Sequence, residues 1–569
     1  MKNIKSIICI ALAGLSLTSC KDFLTLMPLN EIVLENFWTD KSDVESVLLG
    51  AYNALEKSDC ITRMSIWGEM RSDNIVANES NASNDIIQIT KDNILETNSY
   101  TSWKCFYDVI NRANTVLYFA PQVADIDPNY TNAELASNEA EAIALRSLCY
   151  WYLIRAYKDV PYVEHPSIDD TYNFFIPATP FGEVLTNLIN DLDSVKDWAV
   201  NKYTLESANT GRITKVAIYA MLADMYLWRG DWDKAIECCD FIIEYKTKEY
   251  EELKEEEGAD CTVDLIKGIP MIKSTLGSST AGNAYKENFG EGNSFEVLFE
   301  LAFEANQSVE NSFVSTYYGS RNTTKGNLLA APQMGNNFEQ GSNKVFISKF
   351  DGRFYESMTK DNDGGDFAIS KYVNLDVRYN LSTGELQSGS LSRESRNSQI
   401  PNWIIYRFSE VLLMKAEALV MKAGQLGDGA TAAQDSLFRE AFKYVQVVNQ
   451  RALCIDQYTT AVGDTLKYSN YNGSVKKMEE LVLDERRREL CFEGKRWFDL
   501  VRMARRDGNT TRLSTFVLTK YTDNVSAVRI KLADTLALYF PISKDERKIN
   551  TLLYQNPAYI EDEFIEKAK

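Results

Sequence analysis

TKVAIYAMLADMYLWRGDWDKAIECCDFIIEY, residues 214–245, is the stretch that decides the fold. Tyr219, Leu222, Ala223 and Tyr226 recur at intervals of three and four, so they share one face of a helix. Gly230 then interrupts the pattern, because a residue without Cβ takes the left-handed conformation that closes a helix. A second helical pattern follows at once, and Ala235 within it is small enough to let the two helices approach. The pair is predicted to be an antiparallel hairpin with more apolar surface than it can bury alone. Such hairpins stack and build a superhelix around a continuous core.

Leu145, Leu148, Cys149 and Tyr152 repeat the first-helix half of this pattern, and Leu412, Leu413, Ala416 and Leu419 repeat it more loosely. The spacing resembles the tetratricopeptide hairpin. Helical periodicity also covers Ser42 to Leu55, Trp103 to Phe119, Glu134 to Tyr157, Phe181 to Val200, Ile404 to Lys422, Asp435 to Arg451 and Lys476 to Arg505. Between about Asp260 and Pro401 the texture changes to Gly, Ser, Asn and scattered aromatics, with one strand-like run from Phe295 to Leu301. The expected fold is mainly α, a tetratricopeptide-like helical repeat superhelix with a large irregular, loop-rich insertion containing short strands. A single domain is expected over residues 20–569. Its helical scaffold lies at about 40–250 and 402–506, the insertion at about 260–401, and a C-terminal segment at 507–569.

The chain carries 81 acidic against 61 basic residues over 569 positions, a net charge of -20. Such a surface repels phosphate backbones, which excludes nucleic acid as a partner unless a local basic patch overcomes it. His165 is the one histidine, and this removes poly-His metal sites, the zincin motif and any two-histidine acid–base scheme. Lys2 and Lys5 precede an apolar run from Ile7 to Leu17, so residues 1–19 read as an export signal. Its ending, Leu17-Thr18-Ser19-Cys20, resembles a bacterial lipobox, in which Cys20 becomes the acylated first residue of the mature chain. No later apolar run reaches the roughly 18 residues a membrane helix needs, so the membrane contact expected is the lipid alone. Of the later cysteines none forms C-x-x-C, and Cys105, Cys149, Cys238, Cys239 and Cys491 fall in helical segments, where free thiols behave as small buried hydrophobes.

The densest charged run extends from Glu479 to Leu500. On a helix, Met478, Leu481, Val482, Glu485, Glu489 and Phe492 share one face, which threads two carboxylates through an apolar stripe. Arg488 can pair with Asp484 at i,i+4 and with Glu485 at i,i+3, and Gly494 is expected to end the helix. Glu485 and Glu489 could serve as general acid and base. The stronger reading makes Asp484, Glu485, Arg488 and Glu489 a buried structural ion-pair clamp, because a helical face locked by arginines gives substrate no opening.

Leu483 to Arg502, with ERRREL (485–490), FEG (492–494) and RWFDLVR (496–502), closely resembles the C-terminal signature of the SusD/RagB family of outer-membrane nutrient-binding lipoproteins. Other pieces agree in order. They are Phe37-Trp38 with Ala51-Tyr52, WKCFYDVINRAN (103–114), Arg146 to Pro161 ending in YKDVP, GRIT (211–214), RFSEVLLMKAEA (407–418), FPI (540–542) and QNPAY (555–559). The resemblance implies a binding protein without catalysis, without a cofactor, that takes oligosaccharides in most members and peptides in some. It also implies a partner, a SusC-like TonB-dependent outer-membrane transporter over which the lipoprotein closes as a lid. Lys21-Asp22 matches in part the acidic signal that follows the acylated cysteine in surface-exposed members, so the outer face of the cell is the expected location. A secreted glycosidase and a protein-assembling repeat scaffold are the readings from other classes.

A neutral-glycan site needs exposed rings to stack on sugar faces and polar side chains for the hydroxyls. Family likeness places the site in the early loops and in the segment after the strand at Phe295 to Leu301. The candidates there are Trp67 with Asp73, Tyr100 and Trp103, Tyr285 and Phe289, and Tyr317-Tyr318 with Arg321 and Asn322, all read as lying in polar loops or at a helix start. Asp361, Asp363 and Asp366 alternate like calcium ligands, but Gly365 stands at a ligand position, and a solvated turn is the better reading. The acidic run from Lys248 to Glu257 is expected as an exposed helix end.

Overall fold

The computed structural model describes residues 37–560 except 170, 274–282, 304–310, 320–324, 336–344, 347, 349–350, 361–364, 375–400, 428–430 and 454–465. Cys20, Arg321, Asn322, Asp361 and Asp363 lie outside the described residues. Eleven helices carry the architecture: α1 Lys41–Leu55, α2 Ser58–Glu69, α3 Lys104–Ile126, α4 Asn132–Tyr157, α5 Phe181–Val195, α6 Lys215–Arg229, α7 Trp232–Glu257, α8 Phe408–Gln425, α9 Ala432–Ala452, α10 Val475–Leu490 and α11 Arg496–Asp507. Helices α3 and α4, α6 and α7, and α8 and α9 pack as pairs, and the contacts of α1 with α3, α4 with α5, α5 with α6, α7 with α8 and α8 with α10 join the pairs into one stack. The protein is mainly α and tetratricopeptide-like.

The opening hairpin shows how the sequence builds this stack. Gly230 closes α6 at φ 86°, and its N–H donates to the carbonyls of Tyr226 and Leu227. Ala235 is fully buried at the start of α7, and Tyr219 stacks on Phe241 with ring centroids 3.8 Å apart. At the head of α4, the Thr131 hydroxyl accepts from the Glu134 N–H while the Glu134 carboxylate accepts from the Thr131 N–H, which satisfies two donors a helix start leaves orphaned.

Three local expectations are corrected. Residues 403–407 form a strand, not the start of α8, and pair antiparallel with Val297–Leu301. All five are buried, and a continuous run of apolar residues serves a two-sided buried strand as well as a helix. The helix α10 ends at Leu490 rather than at Gly494, since the chain turns through Phe492 at φ 66° before α11 begins. Residues 58–69 form α2, so Trp67, expected in a polar loop, lies on a helix. A four-stranded antiparallel sheet in the order Ile75–Ala77, Leu328–Ala330, Phe367–Ile369, Met358–Lys360 attaches the insertion to the segment after α2.

Helix α2 sits where few sequences would fit. A Cβ on Gly68 would lie 1.8 Å from the Gly494 carbonyl oxygen, so the two backbones touch there. The Glu69 carboxylate, fully buried, accepts from the Asn74 amide at 2.8 Å and from the backbone N–H groups of Phe492, Lys495 and Arg496. It therefore holds the turn between α10 and α11 open in one geometry.

Around that turn the structure packs a buried ionic network. Glu489 accepts from Arg407, Arg451 and Arg353, the last at 3.0 Å. Glu485 accepts from Arg353 at 2.8 Å and from Arg488 at 2.7 Å, while Arg488 also donates to the Val345 carbonyl. Asp484 is only half-buried and forms no ion pair with Arg488. Glu493 accepts from Lys371 and Arg407, and Asp73 from Arg487 and Arg496. The adjacent cations hold the carboxyls of Glu485, Glu489, Glu493, Asp499 and Asp73 below the usual carboxylate range, against a desolvation that pushes them up.

This fixes the sign of the acid response. A carboxylate with a depressed folded pKa contributes stability that is fully present above its unfolded value, near about 4, and is lost as pH falls through the folded one. The network's contribution, read by urea unfolding, should thus be nearly constant from about pH 7 to 5 and be lost below about pH 4, while the carboxyls of Glu56 and Glu356, each pushed up to about 7 by desolvation, add stability as pH falls from about 7 to 5. A protein equally stable at pH 3 and pH 6 would contradict the network's role.

The seven described cysteines carry free thiols. Burial pushes the thiols of Cys149 and Cys239 well up, which makes them poor nucleophiles. Among the described residues, no helix is long and apolar enough to cross a membrane.

Candidate functional site

The candidate rings are mostly buried. Trp67 is fully buried in α2, stacked on Phe106 at 5.1 Å, with its indole N–H donating to the Tyr100 carbonyl. It is no loop residue, and the correction has a clear cause: the charges around it, Glu69, Arg71 and Asp73, are themselves buried and partnered. Arg71 pairs with Asp92 and Asp73 with Arg496. Tyr285 is buried with its hydroxyl donating to the Asn374 carbonyl, and Phe289 lies under Lys371 and Arg407 at 4.9 and 5.6 Å. Tyr318 is fully buried and donates to the Phe492 carbonyl at 2.8 Å, and Tyr317 is 8% exposed. These five rings present no open face to a sugar. Tyr317 shares a 2.8 Å hydroxyl–hydroxyl bond with Tyr100, which is half-buried. Asp366 pairs with Lys325 at 3.1 Å, and no group of His, Cys, Asp or Glu among the described residues is arranged to hold a metal ion.

Trp103 is the candidate that borders a cleft. It precedes α3, is 3% exposed and packs edge-on against Tyr157. From there an open cleft of about 870 Å³ runs between α3, the connection from α4 to α5, and residues 546–553. Tyr107 and Asn111 of α3, Tyr172 and Phe174 of the connection, and Glu546 and Asn550 line it. Local bonds fix this shape. The Tyr107 hydroxyl donates to the Pro161 carbonyl, the Ser167 N–H to Asn111 Oδ1, and Asn550 Nδ2 to the Ile176 carbonyl, each at 2.7 Å.

The cleft unites open aromatic surface with mixed polar groups. Phe174 is 56% exposed, and Tyr172 meets it edge-on at 5.0 Å. Lys57, Lys104, Asp59 and Asp108 also line it, with Lys57 and Asp108 3.6 Å apart. Burial raises the Glu546 carboxyl above its ordinary value. Such a surface can stack on a ring and exchange hydrogen bonds with hydroxyls, and the balance of signs favours no strong charge on the ligand.

Reasoning from sequence missed Tyr172 and Phe174. A signal existed, because Tyr172-Asn173-Phe174-Phe175 is an aromatic cluster in a polar connection with neither helical nor strand period, the same pattern that drew attention to Tyr317-Tyr318. Tyr107 and Asn111 lie on a helix and carry no such mark.

Comparison with known proteins adds the lineage. The family model described as "SusD family" matches residues 295–559, and the one described as "Starch-binding associating with outer membrane" matches residues 22–227. The SusD-like protein P38 of Formosa agariphila is 25% identical over 520 residues, covering 88% of this chain and 91% of the relative. A SusD-like protein of Bacteroides ovatus is 22% identical over 516 residues, covering 86% of this chain and 81% of its own length. Among solved structures, a SusD superfamily protein from Bacteroides vulgatus superimposes with a TM-score of 0.64 at 17% identity, over 92% of this chain and all of that one. With matching segments from both ends of the chain, full-length relatives and a shared mainly helical fold, the protein belongs to the SusD-like family.

Proposed function

We infer that this protein is a lipid-anchored glycan-binding protein, not an enzyme, that captures oligosaccharide at the outer surface of the cell and passes it to a SusC-like TonB-dependent outer-membrane transporter. The observation that carries the reading is the cleft at Phe174, whose volume falls in the range of small-ligand sites and whose open rings suit the C–H faces of sugars. The matched family description, starch binding in association with the outer membrane, supports the same substrate class and location. Incubation of the mature protein with a panel of neutral oligosaccharides tests it: retention without products is expected, products would make it an enzyme, and retention of peptides alone would move it to the peptide binders.

Changing both Tyr172 and Phe174 to Ala should weaken binding of the retained glycan by about 2 kcal/mol, roughly thirtyfold, because two stacking faces are lost at once. The thermal midpoint should move little, since Phe174 is exposed and Tyr172 only half-buried. Equal affinity of this double variant in calorimetry would take the ligand out of the cleft.

The anchor has its own test. Cys20→Ala should yield a protein that stays soluble after cell fractionation in a strain lacking the transporter, because the tether contributes about 0.8 kcal/mol per buried methylene and nothing else in the reading replaces it. Persistent membrane recovery of that variant would refute the lipid attachment.

A further inference from the structure

In a chain of net charge -20, a second cleft has the opposite character. It measures about 510 Å³ and lies between the α6–α7 turn, the end of α11 and residues 535–539. Five cations line it, Lys158, Arg229, Arg502, Arg505 and Arg506, and no carboxylate does. It shares no lining residue with the cleft at Phe174.

Four of these cations have acidic partners set outside the cleft. Lys158 pairs with Asp159, Arg229 with Asp231, Arg502 with Glu417 and Asp499, and Arg506 with Glu417 and Glu479. Arg505 differs. It is exposed, its guanidinium lies 3.9 Å from the centroid of the Phe181 ring, and it donates to the Tyr539 hydroxyl at 2.7 Å, but it has no ion pair among the described residues. Having accepted from Arg505, the Tyr539 hydroxyl still has its own proton to donate.

Helix ends explain part of this. Arg229 stands in the last turn of α6 and Arg505 and Arg506 in that of α11, where cations offset the negative end of the helix dipole. That effect does not explain the absence of any acid from the lining, nor why the indole N–H of Trp228, part of the same wall, is buried without an acceptor. Trp232, Leu536 and Leu538 complete an apolar floor. The cleft thus offers hydrogen-bond donors around a ring-sized apolar surface, and a matching ligand carries acceptors with negative charge.

We propose that this cleft binds an oxyanion borne on a sugar ring, a carboxylated or sulfated sugar, with Arg505 holding the anion and Trp232 beneath the ring. Charge-assisted bonds to a guanidinium are the strong ones, and a lining whose charged groups are all cations favours an anionic sugar over a neutral one of the same shape.

The test uses the mature chain carrying Tyr172→Ala and Phe174→Ala, so that the first cleft does not contribute and failure of the glycan reading there leaves this result unaffected. Calorimetric titrations with digalacturonate, digalactose and sodium sulfate are compared. Digalacturonate should bind, more weakly as salt rises, with digalactose and sulfate each at least about tenfold weaker. Arg505→Gln should lower digalacturonate affinity about tenfold or more at an unchanged thermal midpoint, and Lys158→Gln should lower it severalfold. The proposal is overturned if digalactose or sulfate binds as tightly as digalacturonate, if neither substitution alters affinity, or if digalacturonate does not bind at millimolar concentration.

Discussion

Replacing Glu489 with alanine should destabilise the protein by about 3–5 kcal/mol, the cost of breaking a buried charge network by removing one member. Glu489 is 2% exposed and is the acceptor shared by Arg353, Arg407 and Arg451, which reach it from the insertion, from strand Trp403–Arg407 and from α9. Without it three guanidinium groups stay buried with part of their compensation gone. Each retains acidic partners, Asp351 and Glu485 for Arg353, Glu493 for Arg407 and Glu296 for Arg451, so the fold should survive in weakened form rather than vanish. Glu489→Gln keeps the acceptor oxygen but not the charge and should fall between the two. Denaturant unfolding reads the loss, and calorimetry on the folded fraction should return the parent's glycan affinity. Lost affinity at unchanged stability would instead place Glu489 in a binding or chemical role.

A comparable loss, at least about 3 kcal/mol, is expected from Gly68→Ala, although the change adds a single methyl group to a helix and improves its intrinsic propensity. The new carbon would sit 1.8 Å from the carbonyl oxygen of Gly494 and 3.0 Å from the Phe498 ring. Backbone cannot swing aside as a side chain does, so α2 and the α10–α11 turn must separate. That separation also pulls the Glu69 carboxylate from the N–H groups of Lys495 and Arg496. A midpoint within about 2 °C of the parent protein would mean that the turn is softer than its contacts imply.

The helical stack was legible because its evidence is local. Tyr219, Leu222, Ala223 and Tyr226 announce α6 within eight residues, and Gly230 marks its end. The segment from Trp67 to Asp73 misled for the converse reason. Its charges look solvated in sequence, yet Asp73 finds Arg496 at a separation of 423 residues and Arg71 donates to the Leu538 carbonyl at 467. No window along the chain contains both members of such a pair. The strand Trp403–Arg407 is buried on both sides, so neither a period of two nor one of 3.6 marks it. Tyr317 and Tyr318, adjacent in a loop-like setting, found partners in Tyr100 and the Phe492 carbonyl, and the open rings turned out to be those of a connection between two helices.

Those same separations bear on how the chain reaches its final form. Synthesis delivers α2 long before the arginines of 487 and 496, so Asp73 and Glu69 remain hydrated on an unfinished surface until most of the polypeptide has emerged. Closing a loop of more than 400 residues is a late, entropically costly event, and contacts of high sequence separation slow folding. The amino-terminal helices therefore cannot complete their packing early, and a chain cut short before Arg487 would leave Asp73, just after α2, without its two arginine partners and Glu69 without the N–H groups it accepts from. Until then the chain is an open intermediate, and the helix pair that carries Arg487 and Arg496 acts as the latch.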